Sequence, residues 1–194
     1  MNETKVVGIA GCSAAGKTTF ADALIAALEG SNPPRSAAVF HLDQYTWADK
    51  TAGPFFLFSP TGEKLFNMND PAAFDYPRLM TDMDARLAAG DRPDVLIIEG
   101  LMALHEPTLR HRLNLRLYVD LEADERVLRR MLRDMAGGRM SRDPQFIADF
   151  YRESARIGQA LYVEPSRIHA DMILRGDGDF ARLARLMTSV IRDC

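Results

Sequence analysis

Eight residues, Gly11-Cys12-Ser13-Ala14-Ala15-Gly16-Lys17-Thr18, fit the spacing G-x-x-x-x-G-K-[ST] and restrict what this chain can become more than any other stretch of it. In such a loop the glycines let the backbone curl, so that successive N–H groups point inward around a polyphosphate. Lys17 would put a compact positive charge on the outer phosphates, and the Thr18 hydroxyl is suited to ligate magnesium. The spacing carries this meaning only where a strand enters the loop and a helix leaves it. Residues 5–10, KVVGIA, are a short β-branched apolar run suited to a buried parallel strand. Residues 19–29, TFADALIAALE, put Phe20, Ala23, Leu24, Ala27 and Leu28 on one helical face. The helix N-terminus adds its dipole to the anion site. A glycine turn in an unrelated α/β protein is the alternative, but strand, loop and helix in succession favour nucleotide binding. Gly11, Ser13, Ala14, Ala15, Gly16, Lys17, Thr18 and Thr19 are the residues expected around the phosphates.

The rest of the chain alternates short apolar runs with helical stretches, the pattern of a parallel sheet covered on both faces. Further strands are expected at residues 37–41, 94–100, 115–120 and 170–174, and further helices at about 71–89, 122–136, 144–163 and 180–192. Asp70 reads as the N-cap of the first of these helices, with Pro71 at its first position. Residues 43–70 read as a long irregular segment punctuated by Gly53-Pro54, Ser59-Pro60 and Thr61-Gly62, and segments of that length tend to be functional. A length of 194 residues with 47% hydrophobic content fits one globular domain. The net charge of −3 is too near neutral for bulk attraction to nucleic acid or a membrane surface. No window approaches the ~18 apolar residues of a membrane span. Neither kind of partner is expected; a homo-oligomer is left open. The first residues do not read as a signal peptide, and Cys12 and Cys194 offer no disulfide framework. Cys12 inside the loop asks for a reducing compartment, so the cytoplasm is the default expectation.

Parallel sheets bind ligands at the carboxyl ends of their strands. That rule gathers the phosphate loop, Asp43 after the second strand and Glu99 at the end of the third around one crevice. An acid that follows the apolar run Leu96-Ile97-Ile98 is costly to place unless something binds it, so Glu99 is read as a magnesium-site group rather than an ordinary strand end. Transfer of a phosphoryl group to a hydroxyl needs a base that also orients it, and Asp43 is assigned that role over a cap or turn aspartate. Residues 122–136 show two stripes, one of Val127, Leu128, Met131, Leu132 and Met135, the other of Arg126, Arg129, Arg130 and Arg133. Charged faces are usually just solvated, yet a lysine-free arginine face beside Gly137-Gly138 also suits a closing lid that grips phosphates. Phe55, Phe56 and Phe58 either line a pocket or pack, with packing favoured. His41, His105, His111 and His169 form no ligand pair and read as structural or surface residues.

Together these residues resemble the uridine kinase and phosphoribulokinase family of P-loop kinases. GCSAAGKTT is similar to the family's phosphate loop, Asn69-Asp70-Pro71-Ala72-Ala73-Phe74-Asp75 to its N-x-D-x-P-x-A-F-D segment, and Leu96-Ile97-Ile98-Glu99-Gly100 to its magnesium-site strand. Arg129-Arg130-Met131-Leu132-Arg133-Asp134 resembles its R-R-x-x-R-D lid helix, and Val163-Glu164-Pro165-Ser166 with Ala170-Asp171-Met172-Ile173-Leu174 its closing element. The resemblance implies an α/β P-loop fold of three layers with a five-stranded parallel sheet, an acceptor lobe over about 43–93 and an arginine lid over about 129–143. It implies ATP and magnesium, and phosphorylation of a small-molecule hydroxyl. By it Asp43 is the base and a metal contact, Thr18 and Glu99 complete the metal site, and Asp70 holds ribose-type hydroxyls. Arg130, Arg133 and Arg139 then grip phosphates or acceptor, with Lys17 on the transferred group.

Two features depart from the family pattern. Uridine kinases carry a base-clasping hairpin between the acceptor-lobe helix and the magnesium-site strand, whereas here residues 87–93 run almost straight into Asp94. The lid's R-G-R is reduced to Gly138-Arg139, with Arg142 as the residue that could substitute. A pocket lined by Tyr45, Trp47 and nearby phenylalanines is expected in place of the hairpin. The leading acceptor is a nucleoside such as uridine; the alternatives are nicotinamide riboside, pantothenate or a sugar phosphate. A nucleotide-switch ATPase that binds a protein partner is the rival of a different class, and no N-K-x-D guanine-reading motif supports it. Lys17→Ala is expected to abolish turnover while leaving the far-ultraviolet spectrum and thermal transition in place, because Lys17 acts on phosphate charge and not on packing.

Overall fold

The computed structural model describes residues 3–137 and 141–194. Five strands, β1 (Lys5–Ala10), β2 (Ala37–His41), β5 (Val95–Glu99), β6 (Leu115–Asp120) and β7 (Met172–Arg175), form one parallel sheet in the order β2-β5-β1-β6-β7. The central strands β1 and β5 are nearly continuously apolar because both faces are covered, whereas the edge strand β7 leaves Ile173 exposed. On one face α1 (Lys17–Glu29) and the closing helix α6 (Phe180–Asp193) bury Phe20, Leu24, Leu28, Ala184, Met187 and Ile191 against Val7, Ile9 and Val95. On the other, α2 (Tyr76–Ala88) and the segment that includes the single turn α3 (Pro107–Arg110) bury Leu79, Met83, Met102, Leu104 and Leu109 against Val6, Leu96 and Ile98. Each fully buried Leu or Phe contributes roughly 1.5–3 kcal/mol of transfer free energy. The register sets Ile9 and His41 on either side of Glu99, so the carboxyl ends of β1, β2 and β5 meet.

The segment 43–70 is not the irregular loop expected of it. Phe55–Phe58 (β3) and Glu63–Phe66 (β4) pair antiparallel as a hairpin, with Ser59-Pro60-Thr61-Gly62 as its turn. Phe58 is fully buried and packs at 4.9 Å on Phe146, while Phe56 meets Phe150 edge-on at 5.4 Å. No hairpin separates α2 from β5, as the sequence indicated, but one stands earlier in the chain. The expected helix from Pro71 is also divided. Asp70 caps only the 3-10 turn Pro71–Ala73, accepting from the Ala72 N–H at 2.8 Å, and Asp75 caps α2 through the Arg78 N–H at 3.0 Å.

Helix α4 (Ala123–Met135) inverts the usual polarity. Leu128, Leu132 and Met135 are exposed, whereas Arg126 and Asp134 are buried. The arginine stripe therefore faces the protein and is not a solvated surface. It is followed by α5, one helical rod over 144–166 in which α-helical turns at Pro144–Phe150, Arg156–Gly158 and Glu164–Ser166 alternate with π-helical turns at Tyr151–Ala155 and Gln159–Val163. Such wide turns often mark functional sites. Here they carry Ser154 and Gln159 inward: the Ser154 hydroxyl bridges Asn67 and Asn69 at 2.8 Å each, and the Gln159 side chain accepts from Arg126 at 2.9 Å. Gly158 presses directly on residue 69, where an added Cβ would stand 2.2 Å from the Asn69 carbonyl oxygen. Backbone cannot move aside as a side-chain tip can. Gly158→Ala is therefore expected to cost about 1–3 kcal/mol in chemical denaturation; an unchanged midpoint would contradict this seating of α5.

Candidate active site

The phosphate loop leaves β1 and delivers α1 through Gly16, whose φ of 104° lies in the left-handed region. A side chain there would be strained, and its Cβ would also strike the Phe180 ring at 2.8 Å. Ala14 holds a left-handed φ of 67° without glycine's freedom, a local strain of the kind kept at ligand-binding loops. Lys17 is buried and donates to the Cys12 carbonyl at 3.2 Å, which folds its ammonium across the mouth of the loop. Cys12 itself points behind the loop, 3.7 Å from the Tyr118 hydroxyl. Burial pushes its thiol above the ordinary value, so it stays protonated and unreactive at neutral pH.

Ser13, Ala14, Gly16, Lys17, Thr18 and Thr19 line a cavity of about 300 Å³, closed by Asp43, Glu99, Leu101, Arg129 and Arg133. Gly11 and Ala15 shape the loop without lining it. The buried Glu99 carboxylate accepts from the Thr18 hydroxyl at 3.2 Å and from His41 Nδ1 at 3.0 Å. His41, read from sequence as structural or surface, thus holds a predicted metal-site acid. Arg129 donates to the Gly176 carbonyl at 2.9 Å and to Glu125 at 2.8 Å, tying α4 to the loop after β7.

A second, smaller cavity of about 80 Å³ adjoins the first. Ser13, Asp43, Leu101 and Arg133 line both. Its other walls are Met68, Asn69, Arg130, Asp134, Ser141, Phe146, Ile147 and Phe150. Of the residues expected to contact an acceptor, Asp43 and Arg130 are here and two are not. Tyr45 is turned into the core, where its hydroxyl donates to Asp82 at 3.1 Å. Burial and that carboxylate push its pKa up to about 12, so it stays protonated. The Asp70 carboxylate is committed to its cap, and Asn69 lines the cavity instead. Trp47 is partly exposed and donates to the Ala72 carbonyl at 3.0 Å. Arg139 lies outside the described residues, and Arg142 folds back over Gly137 without lining either cavity. Sequence reasoning missed Asn69, Asp134 and the Phe146/Phe150 pair; the i, i+4 spacing of those rings was the available signal. A larger cavity of about 450 Å³ opens beside Lys5, Arg35, Asp94 and Arg192, at the amino ends of the strands, and holds none of the predicted site residues.

One family model, described as the phosphoribulokinase/uridine kinase family, matches residues 82–179. A uridine kinase of Deinococcus deserti is 32% identical, over 89% of this chain and 88% of that protein. A uridine kinase of Staphylococcus epidermidis is 32% identical, over 99% and 97%. The solved structure of a possible uridine kinase from Bacillus stearothermophilus superposes with a TM-score of 0.59 at 18% identity, covering 90% of each chain. That likeness carries the fold alone. With the phosphate loop seated between β1 and α1, and with relatives matched over nearly their whole length, the chain belongs to the phosphoribulokinase and uridine kinase family and is an ATP-dependent small-molecule kinase.

Proposed function

We propose that this kinase transfers the terminal phosphoryl group of ATP to a hydroxyl of a small sugar-containing acceptor, with a nucleoside as the leading candidate. The observation that carries the reading is the junction of the two cavities, where Asp43 and Arg133 face both. Uridine kinase names on relatives of about 30% identity support a nucleoside-like acceptor. In this reading the acceptor lobe spans about 43–93, the lid about 129–143, and the reaction takes place in the cytoplasm. Among the described residues no helix is long and apolar enough to cross a membrane.

The Thr18 hydroxyl and the Glu99 and Asp43 carboxylates form an all-oxygen donor set at the edge of the larger cavity, which fits magnesium shared with phosphate oxygens. When bound, magnesium neutralises charge on the outer phosphates. Lys17 and the loop N–H groups hold those phosphates, Asp43 accepts the acceptor's hydroxyl proton, and Arg130 and Arg133 meet the charge that develops during transfer. The apolar wall of Phe146, Ile147 and Phe150 excludes water from the smaller cavity. Asn69 offers an amide to acceptor hydroxyls in the place expected of Asp70. A second concave cavity adjoining that of the phosphate loop favours a small acceptor over a protein partner, so the kinase reading is preferred to the switch.

Without a base-clasping hairpin after α2, few polar groups are available to read a pyrimidine edge, and phenylalanine walls discriminate only by shape. Kinetic comparison of uridine, cytidine, nicotinamide riboside and simple sugars is expected to show a ribose- or polyol-bearing acceptor with relaxed preference for the attached group. Exclusive use of uridine would contradict that. Asp43→Asn is expected to retain ATP binding and lose about two to four orders of magnitude in kcat; a kcat within a fewfold of wild type would remove Asp43 as the base.

A further inference from the structure

The inward face of α4 carries one acid among its arginines. Asp134 is only 4% exposed, lines the smaller cavity, and sits between two guanidinium groups. Its Oδ1 accepts from Arg133 Nε at 2.8 Å, and its Oδ2 faces Arg130 Nε at 3.5 Å. Arg133 therefore spends its Nε on this carboxylate, whereas Arg130 is held beside it by charge at the longer distance. The Arg133 Nη2 is buried and has no hydrogen-bond partner among the described residues, although the side chain lines both cavities. A buried donor without an acceptor is costly and rare in a native fold, and this one stands where the phosphoryl group must pass between nucleotide and acceptor.

We infer that Asp134 is a positioning residue: it fixes the Arg133 fork so that Nη2 is held ready for an oxygen of the terminal phosphate. The inference rests on the kinase reading above and adds a residue to it. Asp134 lines the same cavity as Asp43, yet both of its oxygens already face arginines, so it orients and does not act as a base. Its charge also offsets the crowding of Arg130 and Arg133 when no phosphate is present. The guanidinium is planar, and its bidentate geometry is lost if the Nε edge is free to rotate.

Calorimetric titration with ADP and with the β,γ-imido analogue of ATP tests this without any acceptor, so its result stands whether or not the hydroxyl substrate has been identified correctly. Asp134→Asn is expected to lose about tenfold of the wild-type preference for the analogue over ADP, with ADP affinity held within about twofold. Asp134→Glu is expected to recover part of the preference by restoring the charge. In an Arg133→Ala background, Asp134→Asn should cost almost nothing further, because the two act as one unit. A preference unchanged in both Asp134 variants overturns the inference, as do losses that multiply independently in the double variant. A merely structural role would lower affinity for both nucleotides alike, and that outcome overturns it too.

Discussion

Guanidinium groups turned toward the interior of a protein must find acceptors, and the inward face of α4 carries four of them, Arg126, Arg129, Arg130 and Arg133. The arrangement holds because each cation is met by an acceptor, from elsewhere in the fold for Arg126 and Arg129 and from α4 itself for Arg130 and Arg133. Arg126 is bonded to Gln159 at 2.9 Å and to Glu164 at 2.9 Å, both on α5. Arg130 and Arg133 share Asp134. Arg130 also lies over the Phe150 ring at 5.5 Å, a cation–π contact that fixes the aromatic wall to the arginine it borders. The outward face is left to Leu128 and Leu132. A helix with this polarity gains little from hydrophobic burial, so what holds it in place is pairing with α5 and the Gly176 carbonyl.

That dependence explains features that otherwise look unrelated. The two π-helical turns of α5 bring Ser154 to the acceptor lobe and Gln159 to Arg126, and a regular helix would present those side chains at other angles. The β3–β4 hairpin packs Phe56 edge-on against Phe150 and Phe58 against Phe146, and the Ser59 N–H donates to Glu153 at 2.9 Å. The hairpin is thus a brace for the wall of the smaller cavity. The phosphate loop belongs to the sheet, whereas the arginines come from α4, which Gln159, Glu164 and the Gly176 carbonyl hold over it.

The sheet was legible because its central strands β1 and β5 are buried on both faces and read as apolar runs, and the bounds of β1, β2 and β6 are those expected from sequence. The phosphate loop was equally plain, since its spacing expresses backbone geometry that few sequences satisfy. The hairpin was not, because Phe55-Phe56-Leu57-Phe58 lacks the apolar–polar alternation of a half-buried strand and β4 is just four residues long. The placing of Asp70 failed for a different reason: a residue followed by proline reads equally as the cap of a helix or of a single 3-10 turn, and the later Asp75-Tyr76-Pro77, which caps α2, decides the matter in space. The orientation of α4 lay beyond periodicity altogether. Two opposed stripes define two faces, and which one turns inward depends on Gln159, Glu164 and Gly176, all far along the chain. Phe146 and Phe150 had the spacing of a shared face, but nothing local says that the face borders a cavity.

The most direct test of the junction is a crystal structure with magnesium and the β,γ-imido analogue of ATP. The terminal phosphate is expected between Lys17 and Arg133, within hydrogen-bond distance of Arg133 Nη2 and facing Asp43 across the mouth of the smaller cavity. A triphosphate seated in the loop with Arg133 turned to solvent, or with its terminal phosphate directed away from Asp43, would contradict the assignment of these two cavities to the two substrates of one transfer.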